Sequence, residues 1–278
     1  MRRLVVFGSV KGAPGVTTSV LALAAAWPVA KDRGVRPVAV EADCSGGDVA
    51  VRFGVPHTPG LLDVATAARQ PCPGSVLGAA GELPFGVRVV AAPAGHGTCT
   101  EAVRLLAAES GRRVLTGEAS DTGTVLVDVG RLREEVKGLW AAADSAVLVT
   151  RGEADALAHA YAYLLDRDLH ARPVVVAVVG QCRYSSAEIR DALGLDHVVL
   201  LPWDPRAAQI LAGRSQAELR RHGWRTPSLM TAAGRMAEHI HGPGAQTTGS
   251  ERLVGAVAAP SPRAEVGSSD VPREGSSS

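Results

Sequence analysis

The sequence predicts a doubly wound α/β domain: a mostly parallel sheet of about seven strands with helices on both faces. Three observations predict it. Seven short apolar runs alternate with helical stretches, the pattern of the βα units that build parallel sheets. Carboxylates close two of those runs, at Glu41-Ala42-Asp43 and at Asp128, and a glycine-bearing loop joins the first run to an Ala/Leu-rich helix. Right-handed crossovers bring the carboxyl ends of parallel strands to one rim, which is where open sheets bind ligands.

Composition bounds the reading. A chain of 278 residues has room for one large domain. Hydrophobic residues make up 46% but aromatics only 4%, so alanine, valine and leucine must fill the core. A formal net charge of +1 supplies no general attraction to nucleic acid or to an acidic membrane. Cys44, Cys72, Cys99 and Cys182 are far apart and form no C-x-x-C pair, so neither a zinc site nor a disulfide framework is indicated and a reducing cytoplasm is expected. Met1-Arg2-Arg3 before an apolar run has the outline of a signal peptide, but Gly8 and Lys11 break the run, which reads as a buried strand. No stretch reaches the ~18 apolar residues of a membrane span.

Leu4 to Phe7 is the first strand and Ser19 to Trp27 lies in the first helix. Between them runs Val10-Lys11-Gly12-Ala13-Pro14-Gly15-Val16-Thr17-Thr18. A strand, a glycine loop with a hydroxyl pair and then a helix is the layout of a phosphate-binding loop, because loop amides and the helix N-terminus converge on an anion. Against the pattern G-x-x-x-x-G-K-[ST], Gly15 and Thr17 hold their places, while Val10 and Val16 stand for the first glycine and the lysine. The cation sits instead at Lys11, one of only three lysines in the chain.

Residues 11–18 resemble the deviant Walker A loop K-G-G-x-G-K-T-T of the ParA/MinD ATPases, with Ala13 for the second glycine and Val16 for the P-loop lysine. The resemblance implies a P-loop NTPase-like fold with ATP and Mg²⁺ as cofactors. It places Lys11, Gly12, Ala13, Pro14, Gly15, Val16, Thr17 and Thr18 around the phosphates, Thr17 on the metal, and Lys11 across a nucleotide-sandwich homodimer on the partner's phosphates.

Val38 to Val40 is the second strand, ending in Glu41-Ala42-Asp43-Cys44-Ser45-Gly46-Gly47-Asp48. Glu41 and Asp43 match the family's D-x-D spacing, which implies that Asp43 lies near the magnesium and the attacking water. Gly47-Asp48-Val49-Ala50 is similar to the family's pilus-assembly branch. The plainer reading is a polar strand-to-helix turn capped by Asp48. A short helix begins around Pro59 to Val64, Gln70 to Gly81 is a connection, Val87 to Ala91 is a strand and Thr98 to Ala108 a helix. His96, in the turn before that helix, reads as an ordinary loop histidine.

Thr122 to Val127 is an apolar strand closed by Asp128, where a Walker B carboxylate would hold the metal's hydration shell, and Gly130 matches the family's glycine after it. Glu134 to Ala142 reads as a helix, Asp144 to Thr150 as a strand, Ala154 to Leu165 as a helix, and Val174 to Val179 and Val198 to Leu201 as the last strands. By resemblance, Gln181 and Pro202 lie beside the adenine. Trp203 either stacks on the base or covers the sheet edge, the second being the plainer reading. Thr226 to Ile240 is amphipathic with one strong cation, Arg235, and so packs on the domain rather than on a membrane.

The expected organisation is a nucleotide-binding domain over residues 1–241 and a disordered tail over residues 242–278, rich in Gly, Ser and Pro. The tail's three arginines face four acids, so it is no basic arm. Two functions compete. One is an ATP-switched dimer that positions or assembles an intracellular cargo, with an unidentified protein partner or regulator that recruits it to a pole or membrane. The other is a non-hydrolysing pseudo-ATPase scaffold of a pilus or secretion-type assembly. Lys11, Asp43 and Asp128 favour the first; Val10, Ala13 and Val16 favour the second. A P-loop enzyme acting on a small substrate is disfavoured, because no further acid, base or nucleophile constellation appears. Losing the P-loop lysine removes a charge-assisted contact worth roughly 1.5–3 kcal/mol, or about one to two orders of magnitude in affinity.

Overall fold

The computed structural model describes residues 1–70, 74–165, 173–215 and 228–241. Cys72 and the expected tail, residues 242–278, lie outside the described residues. Eight strands form one sheet: β1 (Arg3–Ser9), β2 (Val38–Glu41), β3 (Gly81–Glu82), β4 (Arg88–Val90), β5 (Thr124–Arg131), β6 (Ser145–Gly152), β7 (Val174–Cys182) and β8 (His197–Leu201). Their order across the sheet is β3-β4-β2-β5-β1-β6-β7-β8, parallel throughout except for the β3–β4 pair. The strand beyond the seven expected is β3, on the edge. It is two residues long, exposed, and carries Gly81 and Glu82, so no apolar period marks it.

Ten α-helices cover the faces: α1 (Val16–Ala26), α2 (Val49–Phe53), α3 (Leu61–Ala67), α4 (His96–Ala107), α5 (Glu109–Thr116), α6 (Lys137–Ala142), α7 (Ala154–Leu165), α8 (Ser186–Leu193), α9 (Pro205–Leu211) and α10 (Ser228–His241). The helix expected over residues 134–142 begins as a 3₁₀ turn, Glu134–Val136, before α6. Helix α2 is the one that the turn at Asp48 was expected to open, whereas α5, α8 and α9 are marked by no period in the sequence. They are short, and two rest on local caps: Ser185 and Glu188 form a capping box at α8, while Asp204 accepts from the Ala207 amide and Pro205 opens α9.

The apolar strands are buried on both faces, and alternate residues feed two separate cores. Leu4, Val6, Val125, Val127, Leu148 and Val176 join Leu61, Leu106, Leu139 and Ile189 on one face. Val5, Phe7, Leu126, Val147 and Val175 join Val20, Leu23, Ala207 and Met236 on the other. Small side chains are what let α1 sit in this second layer: Val20 to Ala24 are all buried. Helix α10 packs against α1 and β8 through Leu229, Ala233, Met236 and Ile240, the face expected from its period. Among the described residues no helix is long and apolar enough to cross a membrane.

Candidate nucleotide site

The loop from Val10 to Gly15 leaves β1 at the centre of the sheet and enters α1. Gly12 and Gly15 both have left-handed backbone, at φ 73° and 103°. Gly15 caps α1 without a side-chain acceptor, so the first α1 amides are left to an outside acceptor. Ser9 ties this loop to the neighbouring strand. Its hydroxyl accepts from the Ala13 amide at 3.0 Å and donates to the Gly130 carbonyl at 3.3 Å.

Three carboxyl groups come to the same rim, in three different environments. Glu41 is 5% exposed, and its carboxylate accepts from the amides of Asp48, Val49 and Ala92 at 2.7, 3.0 and 3.0 Å. Burial pushes its pKa up and those amides pull it down. Glu41 therefore supplies the acceptor for α2 that Asp48 was expected to give; Asp48 stands at the N-cap without a side-chain cap bond and pairs with Arg52 instead. Asp43 is half-buried. It accepts from the Ser45 amide at 2.7 Å, and its carboxylate overlaps the position of a Cβ on Gly130, whose φ is 59°. Asp128 is 2% exposed, accepts from the Gly130 amide at 2.9 Å through Oδ1, and has no hydrogen-bond partner at Oδ2. Burial pushes its pKa up to about 7, against the pull of the Thr17 side chain and the Gly130 amide. A carboxyl oxygen this deeply buried and unpaired, with a threonine hydroxyl beside it, is a strained arrangement for the protein alone and a fitting one for a hydrated cation.

No protein-family model matches this chain, and no curated protein sequence matches it. Solved structures do. The cell division ATPase MinD of Pyrococcus furiosus superposes with a TM-score of 0.65 at 20% identity, over 86% of this chain and 98% of its own. The septum site-determining protein MinD of Pyrococcus horikoshii, in complex with Mg-ADP, gives a TM-score of 0.65 at 18% identity, over 86% and 96%. A ParA family ATPase from Chlorobium tepidum gives 0.63 at 20% identity, over 86% and 98%. The chain has the MinD/ParA fold.

Within the MinD/ParA fold the remaining expected positions fall as follows. Val16 is 6% exposed and belongs to the apolar core with Val5, Phe7 and Val20, while Thr17 and Thr18 are half-buried at the start of α1. Lys11 is exposed, and its ammonium lies 3.2 Å from Nε2 of His159 on α7, across a cleft of about 270 Å³ that Gly12, Pro14, Arg151 and Asp155 also line. Gln181 is exposed near the end of β7, and Val179 before it touches the loop side, 3.4 Å from where a Cβ on Gly15 would stand. Pro202 follows β8 and is half-buried. Trp203 is 68% exposed and so does not cover the sheet edge as expected; Asp204 and Pro205 turn the chain directly into α9 and leave the indole outside.

Three further residues shape the site without any sequence signal: Ser9, Arg131 and His96. Ser9 and Arg131 act through backbone bonds that no motif encodes, and Glu41, marked only by its spacing from Asp43, acts by accepting from three amides. His96, treated as an ordinary loop residue, forms an Nδ1 hydrogen bond with the Cys44 carbonyl at 2.7 Å; the Gly47 amide donates to Pro93, and together these clamp the Asp43 loop onto the α4 entrance. Cys44, Cys99 and Cys182 are free thiols, and burial pushes the first two up. Among the described residues no group of three His, Cys, Asp or Glu side chains could hold a metal alone.

Proposed function

We propose that this chain is an ATP-binding, nucleotide-switched dimer of the MinD/ParA kind, which positions or helps assemble an intracellular cargo and hydrolyses ATP slowly. The observation that carries the reading is the unpaired Oδ2 of buried Asp128 beside Thr17, at the N-terminus of α1. The amides of Gly12 and of residues 15–18 would cradle the phosphates, since Pro14 has no N–H and the Ala13 amide is held by Ser9, with Lys11, Gly12, Ala13, Pro14, Gly15, Val16, Thr17 and Thr18 forming the wall of the site. The Thr17 hydroxyl would ligate Mg²⁺, and Asp43 and Asp128 would hold its waters. When bound, Mg²⁺ neutralises phosphate charge. Asp43, held against Gly130, would also orient the attacking water. Gln181 and Pro202 flank the base. Lys11 leaves His159 and reaches the partner's phosphates in the dimer.

Buried Val16 favours a second reading, a scaffold that keeps the fold and the dimer face without turnover. In that reading the assembly served is of the pilus or secretion type. Mass measured by light scattering with no nucleotide, with Mg-ADP and with Mg-ATP separates the two. The switch gives a dimer with Mg-ATP and a monomer without it. The same mass in all three conditions contradicts the switch and favours the scaffold.

A further inference from the structure

The geometry points to Arg131 as the cation that takes over, on the bound phosphates, the charge that Val16 lacks; this rests on the nucleotide-binding reading above. Arg131 ends β5, three residues after Asp128 and next to Gly130. The left-handed turn at Gly130 and the shift in β1–β5 register between Phe7 and Ser9 break the strand's alternation there, and Arg131 pairs with Ser9 at the rim. Its Nε donates to the Val10 carbonyl at 3.3 Å. Val10 is the first residue of the loop, so the guanidinium is tethered at the loop's mouth.

Four features together separate Arg131 from the other described arginines. Among the described residues it is the only arginine hydrogen-bonded to the backbone of residues 10–15. It forms no ion pair among them, whereas Arg2, Arg52 and Arg104 each hold a carboxylate. It is exposed, and with Nε spent on Val10 the remaining guanidinium N–H groups keep the planar fork that suits phosphate oxygens. Finally, it stands on the strand that carries Asp128, beside the Gly130–Asp43 contact, whereas Arg151 opens into the Lys11–His159 cleft and Arg133 acts on Cys44 and Glu135. A lysine at position 16 would approach the phosphates from inside the loop. Arg131 approaches from the rim, and its anchoring bond to Val10 does the orienting that the helix start does for a lysine.

The test is a set of Mg-ATP titrations by calorimetry on the full chain. Wild type binds, and Arg131→Gln binds about 10- to 100-fold more weakly, with Arg131→Lys between them. Val16→Lys/Arg131→Gln restores binding to within a few-fold of Val16→Lys alone, because the second cation has become redundant. Equal affinity of wild type and Arg131→Gln overturns the assignment and leaves the nucleotide site standing. An undiminished Arg131→Gln loss in the Val16→Lys background also overturns it, since Arg131 would then act independently of the missing lysine. A folded wild type that binds no nucleotide overturns both the assignment and the reading it rests on. Thermal melts of each variant show that it is folded; Arg131 is exposed, so its replacement leaves the core intact.

Discussion

The carboxylate of Asp43 lies against the α-carbon of Gly130, in the space that a Cβ at position 130 would fill. This contact joins the end of β2 to the end of β5 and sets Asp43 beside the carboxyl of Asp128, whose Oδ1 accepts from the Gly130 amide. Gly130→Ala has to place a methyl group in that space with φ at 59°. The left-handed conformation alone costs a non-glycine residue roughly 1–2 kcal/mol. Chemical denaturation is expected to show a loss of at least about that size, with Asp43 displaced and Mg-ATP binding weakened together.

Asp128→Asn separates the burial cost of the carboxyl from its use. The acid is 2% exposed with one oxygen unpaired, and burial holds its pKa near the neutral range. An amide of the same shape removes the buried charge. Thermal melts without metal at pH 8 are expected to show equal or higher stability than wild type, while the gain in ATP affinity on adding Mg²⁺ disappears. A variant that is destabilised without metal and keeps the Mg²⁺ effect contradicts the assignment.

Lys11 is exposed, and its described side-chain contact is with His159. Lys11→Ala is therefore expected to change stability by no more than about 0.5 kcal/mol, the usual range for surface positions. Light scattering with Mg-ATP should nevertheless show loss of the dimer. A Lys11→Ala protein that still dimerises on Mg-ATP removes Lys11 from the interface.

Acid is expected to loosen α10. His241 Nδ1 faces the Arg3 guanidinium at 3.1 Å and the ring meets Trp27 edge-on at 4.7 Å, while His239 lies 4.9 Å from His197. Burial lowers both histidines below the usual 6.5, helped by Arg3 and Lys31 at His241 and by His197 at His239, and opposed by Asp32 and Glu238 respectively. The unfolded chain therefore binds more protons than the folded one below pH 6.5, so this contribution is present above that pH and is lost as pH falls through it. The melting temperature should drop as pH falls below 6.5, and less steeply in His239→Gln/His241→Gln.

Much of this architecture was legible in residues 1–241 because parallel strands buried on both faces are continuous apolar runs, as at Val125 to Val127 and Val174 to Val178. The two-residue β3 and the short helices α5, α8 and α9 were not, since a few residues carry no readable period. At the site, Gly15, Thr17, Asp43 and Asp128 stood out because their residue types follow apolar runs at fixed offsets, although β5 continues past Asp128 to Arg131. Glu41 was legible only as half of a spacing; its three amide bonds depend on where β4 and α2 come to lie. Arg131 was invisible for the same reason, as its bond to Val10 depends on the β1–β5 register and the turn at Gly130. Trp203 misled because an aromatic residue after an edge strand suggests burial, whereas the α9 cap turns it outward.

The central claim is that an anion site survives without the P-loop lysine, and calorimetric titration of the purified chain with Mg-ATP tests it most directly. Saturable binding in the micromolar to submillimolar range, weakened in Asp128→Asn to the level seen without Mg²⁺, is the predicted result. A folded protein that takes up no heat-detectable Mg-ATP at millimolar nucleotide would contradict it.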